Sequence, residues 1–364
     1  MRVAILHDWL NQKVGGAENV LFELAQMYPK ADIYTLVYNR RKFKKYLAGR
    51  KIRTSRLQRL PWFIKSRPKL LLPFVKKAVE KLDLSGYDLV ISSSSAWVKN
   101  VNLPKNCRHI CYCYSPARML WDSWPGYIKD MKLGPIGRFY ITRLCSKLRL
   151  WDYYKAQSGI EFIAISEYVA GRIRKFYGQP SIVIYPPVDV EKFEPGQQKS
   201  GYYLIISILA KYKNIELAIK TFKKNGKKLI IAGDGPDKSR LESLSSERKN
   251  IQFLGRVDED KKRELLSSAR GFIFPSSEDF GITMVESITS NTAVIAYRGG
   301  GAKEIVKDGL SGLFFDKLAP ASLELAIGQF EKKFKGNYML DSSYAKRKFS
   351  KEKFVKEIRR VVGE

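Results

Sequence analysis

Short apolar runs recur along this chain, separated by stretches with helical spacing. Residues 3–6 read as a strand, followed by a loop through Gly15 and Gly16. Val20, Leu24 and Met27 then fall at i, i+4 and i+7, the spacing of one helix face. Residues 87–92, 109–113 and 162–165 read as further strands. Pro186-Pro187, and then Glu194-Pro195-Gly196-Gln197-Gln198, interrupt the pattern and predict a linker. After it the alternation restarts with a strand at 203–208 and a helix at 215–222. A strand at 229–232 runs into Gly233-Asp234-Gly235-Pro236, and a helix through Leu241 and Leu244 follows. Strands are also expected at 251–254, 271–274 and 293–296, and a basic amphipathic helix at 349–362 carries Phe354, Ile358 and Val361 on one stripe. Two successive sets of alternating strands and helices predict an α/β protein with two parallel sheets. Ligands of such sheets bind at the carboxyl ends of the strands, so two facing domains would place the active site in the cleft.

Composition narrows the class. The chain has 364 residues, 45% hydrophobic and 12% aromatic, which excludes a disordered basic tail. No apolar run approaches the roughly 18 residues of a membrane span; the best, 203–210, stops at Lys211. The N-terminus enters its first strand without a signal-peptide layout. Cys111 and Cys113 alternate along a strand, Cys107 and Cys145 stand apart, and none has zinc-ligand spacing. Reduced cysteines and a cytoplasmic protein are expected.

The net charge of +30 is concentrated. Residues 40–81 hold sixteen basic residues and one acidic residue, Glu80, a local net of +15 and half of the whole excess. Pro61-Trp62-Phe63-Ile64 and Leu70-Leu71-Leu72-Pro73-Phe74 interleave with this charge, as in a surface helix at a headgroup layer. Each Lys or Arg near an anionic leaflet contributes roughly 1 kcal/mol. A solvated basic face and a nucleic-acid surface are the alternatives; the second lacks a recognisable binding module.

The densest chemical signal is Pro275-Ser276-Ser277-Glu278-Asp279-Phe280-Gly281-Ile282-Thr283-Met284-Val285-Glu286. An apolar strand ends, a polar turn carries carboxylates, and a helix opens near Gly281. The first N–H groups of a helix have no intrahelical partner and suit a phosphate or a sugar hydroxyl. Carboxylates at Glu278 and Glu286 can accept hydrogen bonds from adjacent hydroxyls. The alternative is an acidic turn that caps its own helix. No Gly-x-Gly-x-x-Gly follows either opening strand, which disfavours a dinucleotide-dependent dehydrogenase.

Glu278 to Glu286 forms a Glu-x7-Glu pattern, and the surrounding segments resemble the retaining nucleotide-sugar glycosyltransferases of family 4. These have the GT-B fold of two facing Rossmann-like domains. The resemblance runs through His7-Asp8-Trp9, Gly15-Gly16-Ala17-Glu18, Tyr185-Pro186-Pro187-Val188-Asp189, Gly233-Asp234-Gly235-Pro236, Phe253-Leu254-Gly255-Arg256-Val257 and Val294 through Gly301. It is nearest to the bacterial O-antigen and exopolysaccharide mannosyltransferase branch. The resemblance implies an acceptor-side domain at 1–196 with the membrane-facing segment 40–81. A donor domain at 197–345 and a terminal helix at 346–364 packing back on the first domain complete it. It assigns Glu286 to the donor ribose and Glu278 to the donor sugar. Phe280, Gly281 and Ile282 would face the sugar and diphosphate, Gly15 and Gly16 the phosphates, and Lys213 the diphosphate. Val257 with Asp258 or Glu259 would meet the base, where a carboxylate favours a GDP-sugar over a UDP-sugar. No metal or other cofactor is implied. The implied partners are a nucleotide-sugar donor, a lipid-linked saccharide and an anionic surface at the inner face of the plasma membrane, with no nucleic acid.

Some positions depart from the family pattern. Ile208 and Asn214 stand where relatives often carry cations, Tyr114 where a His contacts the donor sugar, and Ser95 where a further His is common. Arg118 keeps the family position and can face donor or acceptor. Two outcomes follow: a hexosyltransferase with shifted donor preference, or a weakened relative that serves as a binding or assembly protein of a polysaccharide machine.

Overall fold

The computed structural model describes residues 1–11, 14–65, 67–122, 124–129, 131, 133–196, 198–246 and 248–364. Gln197 of the expected linker and Ser66 of the basic segment lie outside these residues. The chain forms two compact units, residues 1–186 with 357–364, and residues 187–356.

The first unit is a seven-stranded parallel sheet. Its strands are β1 (Val3–His7), β2 (Asp32–Thr35), β3 (Ile52–Thr54), β4 (Leu89–Ser94), β5 (Arg108–Cys113), β6 (Glu161–Ala164) and β7 (Ser181–Val183), in the order β3-β2-β1-β4-β5-β6-β7. The second unit has six parallel strands in the order β10-β9-β8-β11-β12-β13. They are β8 (Tyr202–Ile206), β9 (Lys228–Ala232), β10 (Ile251–Gly255), β11 (Gly271–Phe274), β12 (Val294–Tyr297) and β13 (Gly312–Phe315). Each order reverses once, between β1 and β4 and between β8 and β11, the switch point where such sheets bind ligands. This is the Rossmann-like α/β architecture expected of each half.

The expected strands are present within two residues of their predicted ends. Strands β2, β3, β7 and β13 were not anticipated. They are three or four residues long, too short for a pattern to stand out, and β3 and β7 are partly exposed strands at the two edges of the first sheet. The terminal helix is two helices, Ser343–Phe349 and Lys351–Val362, separated at Ser350. Phe354 and Ile358 are buried as the stripe requires, and Val361 is half-buried. Within the first unit, Arg108 donates to the carbonyls of Val361 at 2.6 Å and Val362 at 2.7 Å.

The segment 40–81 is not one surface helix. It holds helix Arg40–Phe43, strand β3, helix Trp62–Lys65 and helix Pro68–Glu80. Leu71, Leu72 and Val75 are buried in the first unit's core, so half of the Leu-rich cluster is structural. Trp62, Phe63, Leu70 and Phe74 remain exposed among the lysines and arginines. Within Pro68–Glu80 the helical spacing sets Leu71, Leu72 and Val75 on one face and Leu70 and Phe74 on the other.

Candidate functional site

In the second unit, the chain leaving β8 and the chain leaving β11 flank the switch point, and each delivers one ionic group. Lys213, in the turn Lys211–Lys213, pairs its ammonium with the Glu278 carboxylate in the loop after β11. Ser276 Oγ donates to the same Glu278 Oε1 at 3.0 Å. Asn214, at φ +53°, ties the loops together by donating from Nδ2 to the Pro275 carbonyl at 3.1 Å. The glycine run after β12 braces the Glu278 loop from outside. Gly301 N–H donates to the Glu278 carbonyl at 2.9 Å, and Gly300 sits at φ +58°. A Cβ at Gly300 would lie 2.1 Å from the Glu278 carbonyl oxygen, so only glycine permits this approach.

Gly281, at φ +112°, turns the chain into helix Ile282–Thr289, which begins at Ile282. Phe280 is buried against Phe349, ring centroids 5.5 Å apart, which fixes the turn from below. Glu286 lies on the buried side of this helix. Its Oε1 accepts from Lys262 Nζ at 2.8 Å, whereas its Oε2 is buried without a hydrogen-bond partner. Burial pushes the Glu286 carboxyl above the usual glutamate range, outweighing the nearby Lys262 charge that pulls it down. Lys262 also pairs with Glu259 Oε2 at 2.8 Å and rests 5.4 Å from the Phe193 ring. Burial draws the Lys262 pKa down, but Glu286 and Glu259 more than reverse this, so it stays charged. Asp258 caps helix Glu259–Ser268 by accepting from the Lys261 N–H at 2.8 Å, while Glu259 is exposed and Val257 half-buried. Of the two carboxylates assigned to the base, Asp258 is therefore committed to capping its own helix, while Glu259 is exposed and pairs with Lys262.

The first unit presents a second cluster at its own switch point. Gly15 N–H donates to Glu18 Oε2 at 2.8 Å, and Gly16 opens helix Gly16–Met27. Glu18 Oε1 lies 3.8 Å from His7 Nε2, and His7 Nδ1 is 3.0 Å from Ser93 Oγ. Ser93 Oγ is 2.7 Å from the Tyr114 hydroxyl, which donates to the Ala17 carbonyl at 2.8 Å. Burial pushes the Tyr114 phenol well above its ordinary value, so it keeps its proton as a donor. Arg118 is half-buried in the chain following β5. His109 is a core residue: Ser92 Oγ lies 2.9 Å from its Nε2, and burial with the Lys99 charge pushes it down to about 3.

Several residues in these clusters carry more than their motifs indicated. Asp8 is buried and accepts backbone N–H groups from Ser95 (2.6 Å), Ala96 (2.9 Å), Trp97 (2.9 Å) and Val98 (2.8 Å). It thus shapes the whole turn after β4. Lys262 was not singled out, because Glu259-x-x-Lys262 is the pattern of an ordinary surface ion pair. Its second partner belongs to another helix.

Two family descriptions match successive parts of the chain: "Glycosyltransferase Family 4" at residues 14–192 and "Glycosyl transferases group 1" at residues 189–347. The chain carries both glycosyltransferase domains. Among curated relatives, an uncharacterised glycosyltransferase of Methanocaldococcus jannaschii is 29% identical over 60% of this chain and 63% of its own length. A D-rhamnosyltransferase of Pseudomonas aeruginosa is 28% identical over 39% and 40%. An alpha-1,3/1,6-mannosyltransferase of Dictyostelium discoideum is 24% identical over 86% and 85%. The chain thus spans less than two thirds of the length of the first two. Anabaena HepE, crystallised with UDP, aligns over 100% of both chains with a TM-score of 0.71 at 16% identity. Sucrose-phosphate synthase from Thermosynechococcus elongatus covers 100% of this chain and 98% of its own, with a TM-score of 0.72 at 14% identity. At these identities the structures establish the fold, the paired Rossmann-like sheets of GT-B glycosyltransferases.

Proposed function

We propose that the protein is a retaining hexosyltransferase that needs no metal, and that it moves a sugar, mannose in the reading we favour, from a nucleoside diphosphate to a lipid-linked or growing saccharide in polysaccharide or lipopolysaccharide biosynthesis. The observation that carries this is Glu286. One of its oxygens is pinned by Lys262 while the other is buried and unpaired, in the same segment as the Lys213–Glu278 pair. An unmade hydrogen bond at a buried carboxylate is costly, and a ribose hydroxyl would complete it. When donor enters, Lys213 would exchange Glu278 for the diphosphate, and Glu278 would accept from the sugar hydroxyls. Lys213 and the first N–H groups of helix Ile282–Thr289 would then stabilise the charge that grows on the leaving diphosphate.

Mannose is favoured by the mannosyl- and D-rhamnosyltransferases among the relatives. A GDP-sugar is favoured by exposed Glu259, which can accept from guanine N1–H and N2–H, although HepE was crystallised with UDP. Among the described residues no helix is long and apolar enough to cross a membrane, and the basic stretch 40–81 supports a peripheral position at the inner face of the plasma membrane. The test is release of nucleotide from a panel of GDP- and UDP-sugars. Release that disappears in Glu278→Ala supports the enzyme, and absence of calorimetric binding to every member of the panel sinks it.

A further inference from the structure

The helix Pro135–Ala156 breaks the ordinary rule for a surface helix. Its inner face is apolar as expected: Ile141, Cys145, Leu148, Trp151 and Ala156 are buried. Its outer face is apolar as well. Ile136 is 87% exposed, Phe139 70%, Tyr140 60%, Leu150 57% and Tyr154 68%. At 100° per residue these five fall within an arc of about 100°, and so do Arg143 and Lys147, which are also exposed. The stripe from Ile136 to Tyr154 is about 27 Å long at 1.5 Å per residue. No acidic residue occurs from Pro135 to Trp151, and the following Asp152 is buried against Lys99, Asn100, Trp121 and Tyr177.

The stripe adjoins the basic segment within the same unit. Trp151 Nε1 donates to Glu80 Oε1 at 2.9 Å, which sets this helix beside Pro68–Glu80. A groove of about 570 Å³ here is lined by Leu150, Trp151 and Tyr154 together with Lys76, Lys147 and Lys155. A partner that covers this surface must be apolar along its body and anionic at intervals. Those are the properties of acyl chains below phosphate headgroups.

We infer that the outer face of Pro135–Ala156 is a membrane-contact surface, lying along an anionic lipid leaflet with Ile136, Phe139, Tyr140, Leu150 and Tyr154 in the acyl boundary and Arg143 and Lys147 at the phosphates. This rests on the reading that the protein works at an anionic membrane, and it assigns the apolar part of that contact to a helix outside 40–81. The basic segment supplies salt-sensitive attraction, and the stripe supplies adhesion that survives salt.

The experiment is co-sedimentation of the full chain with phosphatidylglycerol-containing and pure phosphatidylcholine vesicles across a salt series. The variants are Ile136→Ser/Phe139→Ser/Leu150→Ser and, separately, Lys42→Gln/Lys44→Gln/Lys45→Gln. The stripe variant is expected to lose at least tenfold in partitioning to the anionic vesicles, with its residual binding abolished at high salt. The lysine variant loses binding chiefly at low salt. Light scattering reports the oligomeric state, and nucleotide-sugar hydrolysis without lipid reports folding. A stripe variant that binds like wild type at every salt overturns the inference while leaving the membrane reading standing. No vesicle binding by wild type overturns both. A wild-type dimer that the stripe variant converts to monomer, with vesicle binding intact, assigns the surface to a second copy of the chain and also overturns it.

Discussion

Replacing Lys262 with Met tests the inner wiring of the donor site without touching a proposed substrate contact. Lys262 Nζ is 2.8 Å from Glu286 Oε1, and both side chains are largely buried. A charge-assisted hydrogen bond of this kind is worth about 1.5–3 kcal/mol, which corresponds to about 1–2 pH units on the Glu286 carboxyl. The folded-state pKa of Glu286 already lies above its unfolded value of 4.5. Its contribution is therefore fully present below pH 4.5 and lost as pH rises through the folded pKa. Without Lys262 the folded pKa rises further, so the loss is larger and extends to higher pH. At pH 4.5 and below, where the raised pKa keeps Glu286 protonated in the folded state, Lys262→Met should lie closest to wild type. At pH 8 the gap should have widened by about 2 kcal/mol, or about 4–8 °C in Tm for a unit of this size. Thermal unfolding of both proteins from pH 4.5 to 8 measures this. Adding Glu286→Gln to Lys262→Met should remove the pH dependence, because the pair is then replaced by uncharged groups. A Tm difference that stays constant across the range would refute the argument and leave Lys262 a packing residue over Phe193.

Asp8→Asn puts an amide where four backbone N–H groups converge, so it should cost the first unit about 3 kcal/mol, read as a lower Tm and faster hydrogen exchange at residues 95–98. Gly300→Ala forces a Cβ against the Glu278 carbonyl at a positive φ, costing about 1–3 kcal/mol. It should lower nucleotide-sugar turnover with circular dichroism unchanged, and normal turnover would show that this loop does not need its bracing.

What was legible and what was not divide along a physical line. Strands and motif loops are local patterns, and runs such as 229–232 or 271–274 state their own conformation through apolar continuity and the Gly233 or Pro275 that follows. The Glu-x7-Glu spacing likewise placed Glu278 in a loop and Glu286 on a helix. What the sequence leaves open is which groups are already paired. Asp258 looks like a free carboxylate until its own helix claims it. Lys262 looks like a surface lysine until the neighbouring helix brings Glu286 to it. Tyr114 stands in a donor-contact position, yet its hydroxyl is shared between Ser93 and Ala17. The Asp258 cap is local, three residues away, but the partners of Lys262 and Tyr114 are set by packing between elements distant in sequence, where no spacing rule reaches. Helix Pro135–Ala156 fails for the opposite reason: apolar side chains on both faces cancel the contrast from which amphipathicity is read. Burial resolves it, because an apolar residue inside the core and one facing outward are the same letter in a sequence. The net charge of +30 therefore marks only part of the proposed membrane surface, and the part that should hold at high salt carries much of its chemistry in uncharged residues.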